Sequence, residues 1–295
     1  MTTPTSRRLG LMVDRALPPE RLPGLATDAE RLGADELWLV EDLGWAGAIA
    51  TIGTALAVTT RLHVGIGIIP APLRNPAVLA MELAALERLN PGRLIAGIGH
   101  GVTEWMARIG VSTPSPLALL EETFVAVRTL LAGEELTLDG RAVHVRDTRL
   151  VHPPARVPPL IAGVKGPKSL ELAGRIADGT LLAEGSGAAH IVEAHAAAAR
   201  GGGGSGYEVS IFVHLAIDDD PARARTLVVP AAADAASFLG IPIDEATVAA
   251  GSPADAAATV TALWDAGAAS VIVRPVGDDP IGQFERLVAA LSPRG

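Results

Sequence analysis

A chain of 295 residues, 49% hydrophobic and 19% charged, is long enough for one large α/β barrel or two smaller domains. A net charge of −9 argues against the basic surface that nucleic-acid partners require, and the lack of cysteine excludes disulfides, thiolate metal sites and a cysteine nucleophile. The N-terminal stretch MTTPTSRRLGLMVDRAL loses its apolar run at Asp14, and no segment approaches the ~20 apolar residues of a membrane span, so a soluble cytoplasmic protein with no membrane partner is expected.

Short apolar runs alternate with helical patterns from end to end. Strands are predicted at residues 8–13, 36–41, 62–69, 93–99, 159–164, 179–184, 208–217 and 270–274. Several are apolar on successive positions, as strands covered on both faces should be. The first helix places Leu22, Leu25, Ala29 and Leu32 at helical spacing, and Gly33 stops it. The third βα unit offers Val78, Met81, Leu83 and Leu86, with Asn75 as the cap and Pro76 in the first turn.

Two stretches interrupt the rhythm. Residues 101–120 read as a proline-rich loop feeding a helix, and residues 134–152 as a hairpin turning at Asp139-Gly140. Residues 199–208, ARGGGGSGYE, read as a linking loop. Eight βα units over residues 1–295 predict one (β/α)8 TIM-type barrel with insertions, an open doubly wound sheet being the alternative. Chemistry in such a barrel collects at the C-terminal ends of the strands.

Those ends are rich in glycine, proline and charge. RLIAGIGHGVTEW at 93–105 sheds its side chains at Gly97, Gly99 and Gly101 around a lone His100, as if to leave room for something flat. His100 is the acid/base candidate, since imidazole exchanges protons near neutrality. Trp105 is either a loop anchor or a pocket wall. Glu41, at the end of the second strand, is the candidate to orient a substrate, while Asp14 and Glu184 read as structural carboxylates. AGVKGPKS at 162–169 joins a strand to a helix through Gly163, Val164, Lys165, Gly166 and Pro167. An uncapped helix start of this kind suits an anion such as phosphate, and an ordinary tight turn explains it equally well. No His-x-His or HExxH spacing supports a metal site.

Four segments carry a family likeness: ERLGADELWLVEDL, TTRLHVGIGIIPAPLRNPAVLAMELAALERLNPGRLIAGIGHG, PPLIAGVKGPKSLELAGRIADG and GSPADAAATVTALWDAGAASVIVRPVG. The chain resembles the bacterial luciferase-like oxidoreductases, in particular the branch of deazaflavin-dependent and methylenetetrahydromethanopterin reductase-like proteins. The resemblance implies a barrel with insertions, often dimeric, and a deazaflavin (coenzyme F-420, F420) in its mouth, with FMN as the alternative cofactor. It implies a bulge or non-proline cis peptide at Gly67, Ile68, Ile69 and Pro70 against the ring. It places the cofactor phosphate on the backbone of 163–167 and the ring or substrate beside Gly99, His100 and Gly101. Some of these enzymes carry a histidine in the second strand's loop; here that stretch reads VEDLGW. The activity implied is hydride transfer to or from a small organic substrate. The alternatives are an FMN-dependent monooxygenase, a non-catalytic flavin-binding protein, and a barrel lyase or isomerase acting on phosphorylated substrates.

Overall fold

The computed structural model describes residues 7–292, so the outermost residues of the span 1–295 lie outside the described residues. Eleven strands are present among the described residues: β1 (Arg8–Met12), β2 (Glu36–Leu39), β3 (His63–Pro70), β4 (Leu94–Gly99), β5 (Leu136–Asp139), β6 (His144–Thr148), β7 (Leu160–Gly163), β8 (Gly179–Leu182), β9 (Glu208–Ile217), β10 (Val248–Gly251) and β11 (Ser270–Pro275). Eight of them pair in parallel in the order β1-β2-β3-β4-β7-β8-β9-β11, and β11 returns to β1 through Arg8↔Ser270 to close a (β/α)8 barrel. The closed ring excludes the open doubly wound sheet.

Each of the eight expected runs contributes one barrel strand. β5 and β6 form the hairpin expected at Asp139-Gly140, with Asp139 opposite His144. Two elements differ from expectation. Thr103–Arg108 is a short helix within the predicted loop, and the following helix starts at Pro116. β10 was not foreseen: β9 is ten residues long, pairs with β8 through Leu182↔Ile211, and accepts β10 farther along, from Val248↔His214 to Gly251↔Ile217.

The alternation of side chains across each strand builds two cores. Outward residues such as Leu11, Leu37, Val64 and Ile66 pack under the helices. Inward residues Met12, Trp38, Ile95, Ile161, Leu181, Phe212 and Ile272 fill the barrel. The Trp38 and Phe212 rings meet edge to face with centroids 5.7 Å apart, a favoured aromatic geometry. Gly65 makes this possible, because a Cβ there would overlap the Trp38 indole.

The N-terminal end of the barrel is closed by a satisfied polar plug. Glu36, 1% exposed, accepts from Arg8 Nε at 2.6 Å, Trp38 Nε1 at 2.7 Å and Ser270 Oγ at 2.7 Å. A buried carboxylate is tolerated because its lone pairs are taken up in this way.

The helix Pro76–Leu89 starts as its sequence predicts: Asn75 accepts from the Ala77 amide at 2.9 Å, and Pro76 occupies the first turn. Its buried face differs from the expected one. Leu79, Leu83 and Leu86 point inward, while Val78 and Met81 face out, Met81 at 60% exposed.

Candidate functional site

The C-terminal ends of the strands form a mouth with two unlike halves. β3, β4 and β7 supply backbone with few side chains; β1, β8, β9 and β11 supply charge.

In the first half, the peptide between Gly67 and Ile68 is cis, and the β3–β4 register slips between Ile66 and Ile69. This is the segment in which the resemblance implied a bulge. Gly67 lies inside the barrel, where a Cβ would meet Phe212 and Leu181. Ile69 turns outward into the main core. Ile68 lies over the strand ends: a Cβ on Gly163 would overlap its Cγ2, and one on Gly99 would crowd its Cδ1 at 3.1 Å. The sequence suggested that these glycines leave space for a flat ligand. The structure corrects this: the space beside Gly97 and Gly99 is taken first by the carbonyl oxygens of Ile66 and Gly163, and the Ile68 side chain comes next, making an apolar floor over the bared backbone. Gly101, at φ +73°, backs onto Pro70, where a Cβ would approach to 2.7 Å, so the ends of β3 and β4 are locked together.

His100 links this floor to the next loop. Its Nε2 lies 3.1 Å from Ser169 Oγ, in the first turn of the helix Pro167–Ile176. Burial lowers the His100 pKa below the ordinary histidine value, and the Pro116 carbonyl partly opposes this by favouring the protonated ring. The imidazole is therefore neutral near pH 7 and able to take up a proton.

The turn before that helix has the features of an anion cradle. Gly166 sits at φ +82° and ψ 150°, a conformation essentially confined to glycine, and nothing lies within 4 Å of where its Cβ would be. No side chain caps the helix, so the first-turn amides of Lys168 and Ser169 have neither a helical nor a side-chain acceptor. Pro167 has no amide to satisfy. Val164 is buried in the outer core and contributes only backbone to the turn. Lys165 leaves the turn: its ammonium lies 3.9 Å from the Phe238 ring centroid and donates to the Phe238 carbonyl. Lys168 is the cation that stays on the first turn. A phosphate tail fits this cradle through amides, a hydroxyl and one ammonium.

Glu41, a further candidate, is committed elsewhere. Glu41 forms a two-point ion pair with Arg74, one contact being Nη2–Oε1 at 2.7 Å. Alternation along β2 explains this, because Trp38 and Val40 take the inward positions. Trp105 is half-buried on the helix Thr103–Arg108.

The second half of the mouth holds two residues the sequence did not single out, Arg274 and His214, beside Asp14 and Glu184, the carboxylates read as structural. Arg274, two residues beyond the inward Ile272, binds Asp14 at 3.0 Å and Glu184 at 3.0 Å. Burial alone would raise the Asp14 pKa, but the Ala16 amide and the Arg274 guanidinium outweigh it and hold the carboxyl below its ordinary range. His214, two residues beyond the inward Phe212, is 5% exposed, and its Nδ1 is buried without a hydrogen-bond partner. Burial is the largest cause of its lowered pKa; Glu184 opposes the shift and Arg274 adds to it. The available signal was period two: a lone histidine in EVSIFVHLAI shares a face with Phe212.

Among the described residues, no group of three or more His, Asp or Glu could hold a metal ion, and no helix is long and apolar enough to cross a membrane.

Comparisons with known proteins place this architecture. The sequence is 30% identical over 206 residues to a 5,10-methylenetetrahydromethanopterin reductase of Methanolobus tindarius, covering 67% of this chain and 62% of the reductase. It is 29% identical over 225 residues to an F420-dependent glucose-6-phosphate dehydrogenase of Beutenbergia cavernae, covering 71% and 67%. The chain thus spans under two-thirds of the reductase's length. Among solved structures, an F420-dependent secondary alcohol dehydrogenase superposes with a TM-score of 0.86 at 19% identity, covering 97% of this chain and 99% of that one. The F420-dependent tetrahydromethanopterin reductase of Methanopyrus kandleri gives 0.85 at 20% identity, covering 97% and 98%. These structural likenesses establish the fold. The profile described as "Luciferase-like monooxygenase" matches residues 2–284, nearly the whole chain, and the protein belongs to that family.

Proposed function

We propose that this protein is an F420-dependent oxidoreductase that moves a hydride to or from a small organic substrate. The observation that carries the reading is an uncapped, glycine-opened helix start at Gly166–Ser169, joined through His100 to the apolar Ile68 floor on the same barrel mouth. The name of the Beutenbergia cavernae relative favours the deazaflavin over FMN. When bound, the deazaflavin supplies the hydride donor and acceptor carbon. The protein would hold its phosphate on the amides of Lys168 and Ser169, with the backbone of Gly163 to Pro167 leaving the approach clear. Ile68, with Gly99 and Gly101 behind it, would support the ring face and exclude water from that side. His100 is the acid/base group in this reading, neutral at rest and oriented by Ser169.

The test is a pair of fluorescence titrations, with F420 and with FMN, followed by oxygen consumption with each reduced cofactor. Tight binding of F420 without oxygen uptake is the expected result. Binding of FMN alone, with oxygen uptake, would make the protein an FMN-dependent monooxygenase. Binding of neither would remove the cofactor site.

The protein is further proposed to act as a homodimer in the cytoplasm. The helix Ala48–Val58 carries no charged residue, and it lies beside Pro76–Leu89, where a Cβ on Gly53 would sit 3.5 Å from Leu86. The outer faces of the two helices expose Val58, Val78, Met81 and Leu89, the last at 78%. Exposed apolar side chains on adjacent helices of this kind suit self-association. Light scattering of the native protein should give twice the chain mass, and Met81→Glu should shift it toward the monomer. A native monomer would contradict the proposal.

A further inference from the structure

The proposed cofactor accounts for the mouth's side-chain-poor half and leaves the charged half without a role. Its guanidinium groups are already taken. Arg15 is bound to Asp42, from the end of β2, and Arg274 to Asp14 and Glu184. Three carboxylates face these two guanidinium groups, a surplus of one negative charge. Asp234 adds to the negative surroundings of His214. The lysines at the strand ends, Lys165 and Lys168, belong to the β7 turn, on the cofactor side. A phosphorylated or carboxylated substrate entering here would meet net repulsion and would have to displace a carboxylate from Arg274.

Within this negative ring, one buried polar atom is left over: His214 Nδ1. It projects from the same face of β9 as Phe212, one step nearer the mouth. A buried polar atom without a partner is uncommon in a folded protein and marks a position where a ligand can complete the hydrogen bonding. A neutral imidazole nitrogen accepts from a hydroxyl in one tautomer and donates to a carbonyl in the other. It can therefore serve both members of an alcohol–carbonyl pair.

Resting on the hydride-transfer reading above, we propose that the β1, β8, β9 and β11 half of the mouth is the substrate subsite, that it takes an uncharged organic molecule, and that His214 Nδ1 hydrogen-bonds a hydroxyl or carbonyl oxygen of that molecule. Asp14 and Glu184 act by keeping Arg274 neutralised, which is what sets the preference against anions.

The experiment uses matched probes that differ only in charge: short- and medium-chain alcohols and their phosphate monoesters. Protein with isotope-labelled histidine is studied by NMR with and without F420, and the His214 signal is assigned by its absence in His214→Gln. The expected result is a saturable shift of the His214 signal with at least one alcohol and none with the monoesters. The double variant Asp14→Asn/Glu184→Gln should gain monoester affinity by about tenfold, as one freed charge-assisted contact would give. His214→Gln should raise the KM for a turned-over alcohol by about tenfold while leaving F420 affinity unchanged, a split that a purely structural role would not produce. The proposal is overturned if no alcohol moves the His214 signal, or if monoesters bind the unmodified protein as tightly as alcohols. Should His214→Gln fail to fold, the wild-type shifts and the double variant still decide. F420 affinity is titrated separately, so failure of the hydride-transfer reading registers there and not in the histidine signal.

Discussion

The two ends of this barrel solve opposite problems with similar residues. At the bottom, Glu36 is buried and satisfied by Arg8, Trp38 and Ser270. At the top, His214 is nearly as buried, yet one nitrogen has no partner, and the helix start beside His100 is left without a cap. The bottom is complete within the protein; the top is complete only with something added. A closed polar network contributes to folding, whereas an open one is a standing cost that binding can relieve.

The largest effect should come from breaking the closed end. Glu36→Ala leaves Trp38 Nε1 and Ser270 Oγ buried without an acceptor, while Arg8 keeps Glu208, and should cost about 2–4 kcal/mol, as unsatisfied buried donors do. Urea unfolding measures the loss, and F420 affinity in the folded fraction should be unchanged. An equal loss of affinity would show that the two ends are not independent.

Gly166→Val comes next and sharpens the open end. Its glycine-only conformation makes any other residue costly by about 1–3 kcal/mol, and a branched side chain would also shade the cradle amides. Thermal unfolding should show the strain, and F420 titration should show weakened binding. Unchanged affinity would remove this turn from the site.

Gly163→Ala tests the Ile68 floor. The added methyl overlaps Ile68 Cγ2 and should cost about 1–3 kcal/mol by overpacking. Adding Ile68→Ala should relieve part of that loss, as neighbours in contact do not act additively. Strict additivity in the double variant would mean that Ile68 does not occupy that space.

The smallest effect is in pH dependence. His100 and His214 both have folded pKa values below the 6.5 of the unfolded chain. The unfolded state therefore binds more protons in mild acid, so the stability tied to these rings is complete above pH 6.5 and falls away as the pH drops toward the folded values. His100→Gln and His214→Gln should each flatten that slope in denaturant titrations. Only the first should also move the acidic limb of the turnover profile.

Local pattern was enough to read much of this molecule. Runs buried on both faces marked the eight barrel strands, Asn75-Pro76 marked a helix start, and Asp139-Gly140 a hairpin. The features that escaped depend on distant partners. β10 reads VAAG, too small and short to signal a strand, and exists because β9 outruns β8. Helical spacing placed Val78 and Met81 on the buried face, but which face of a helix meets the barrel is a tertiary matter. The glycines of β4 and β7 were visible, whereas Ile68, which packs over them, belongs to β3. His214 looked like any core histidine, because its neighbours Glu184 and Arg274 come from other strands.

The central claim is that the uncapped turn at Gly166–Ser169 and the Ile68 floor together seat a phosphate-tailed deazaflavin. Amide and methyl NMR spectra recorded while F420 is added test this directly. The account predicts saturable shifts of the Gly166, Lys168 and Ser169 amides together with the Ile68 methyls. Saturable F420 binding that leaves those four residues unmoved would contradict it.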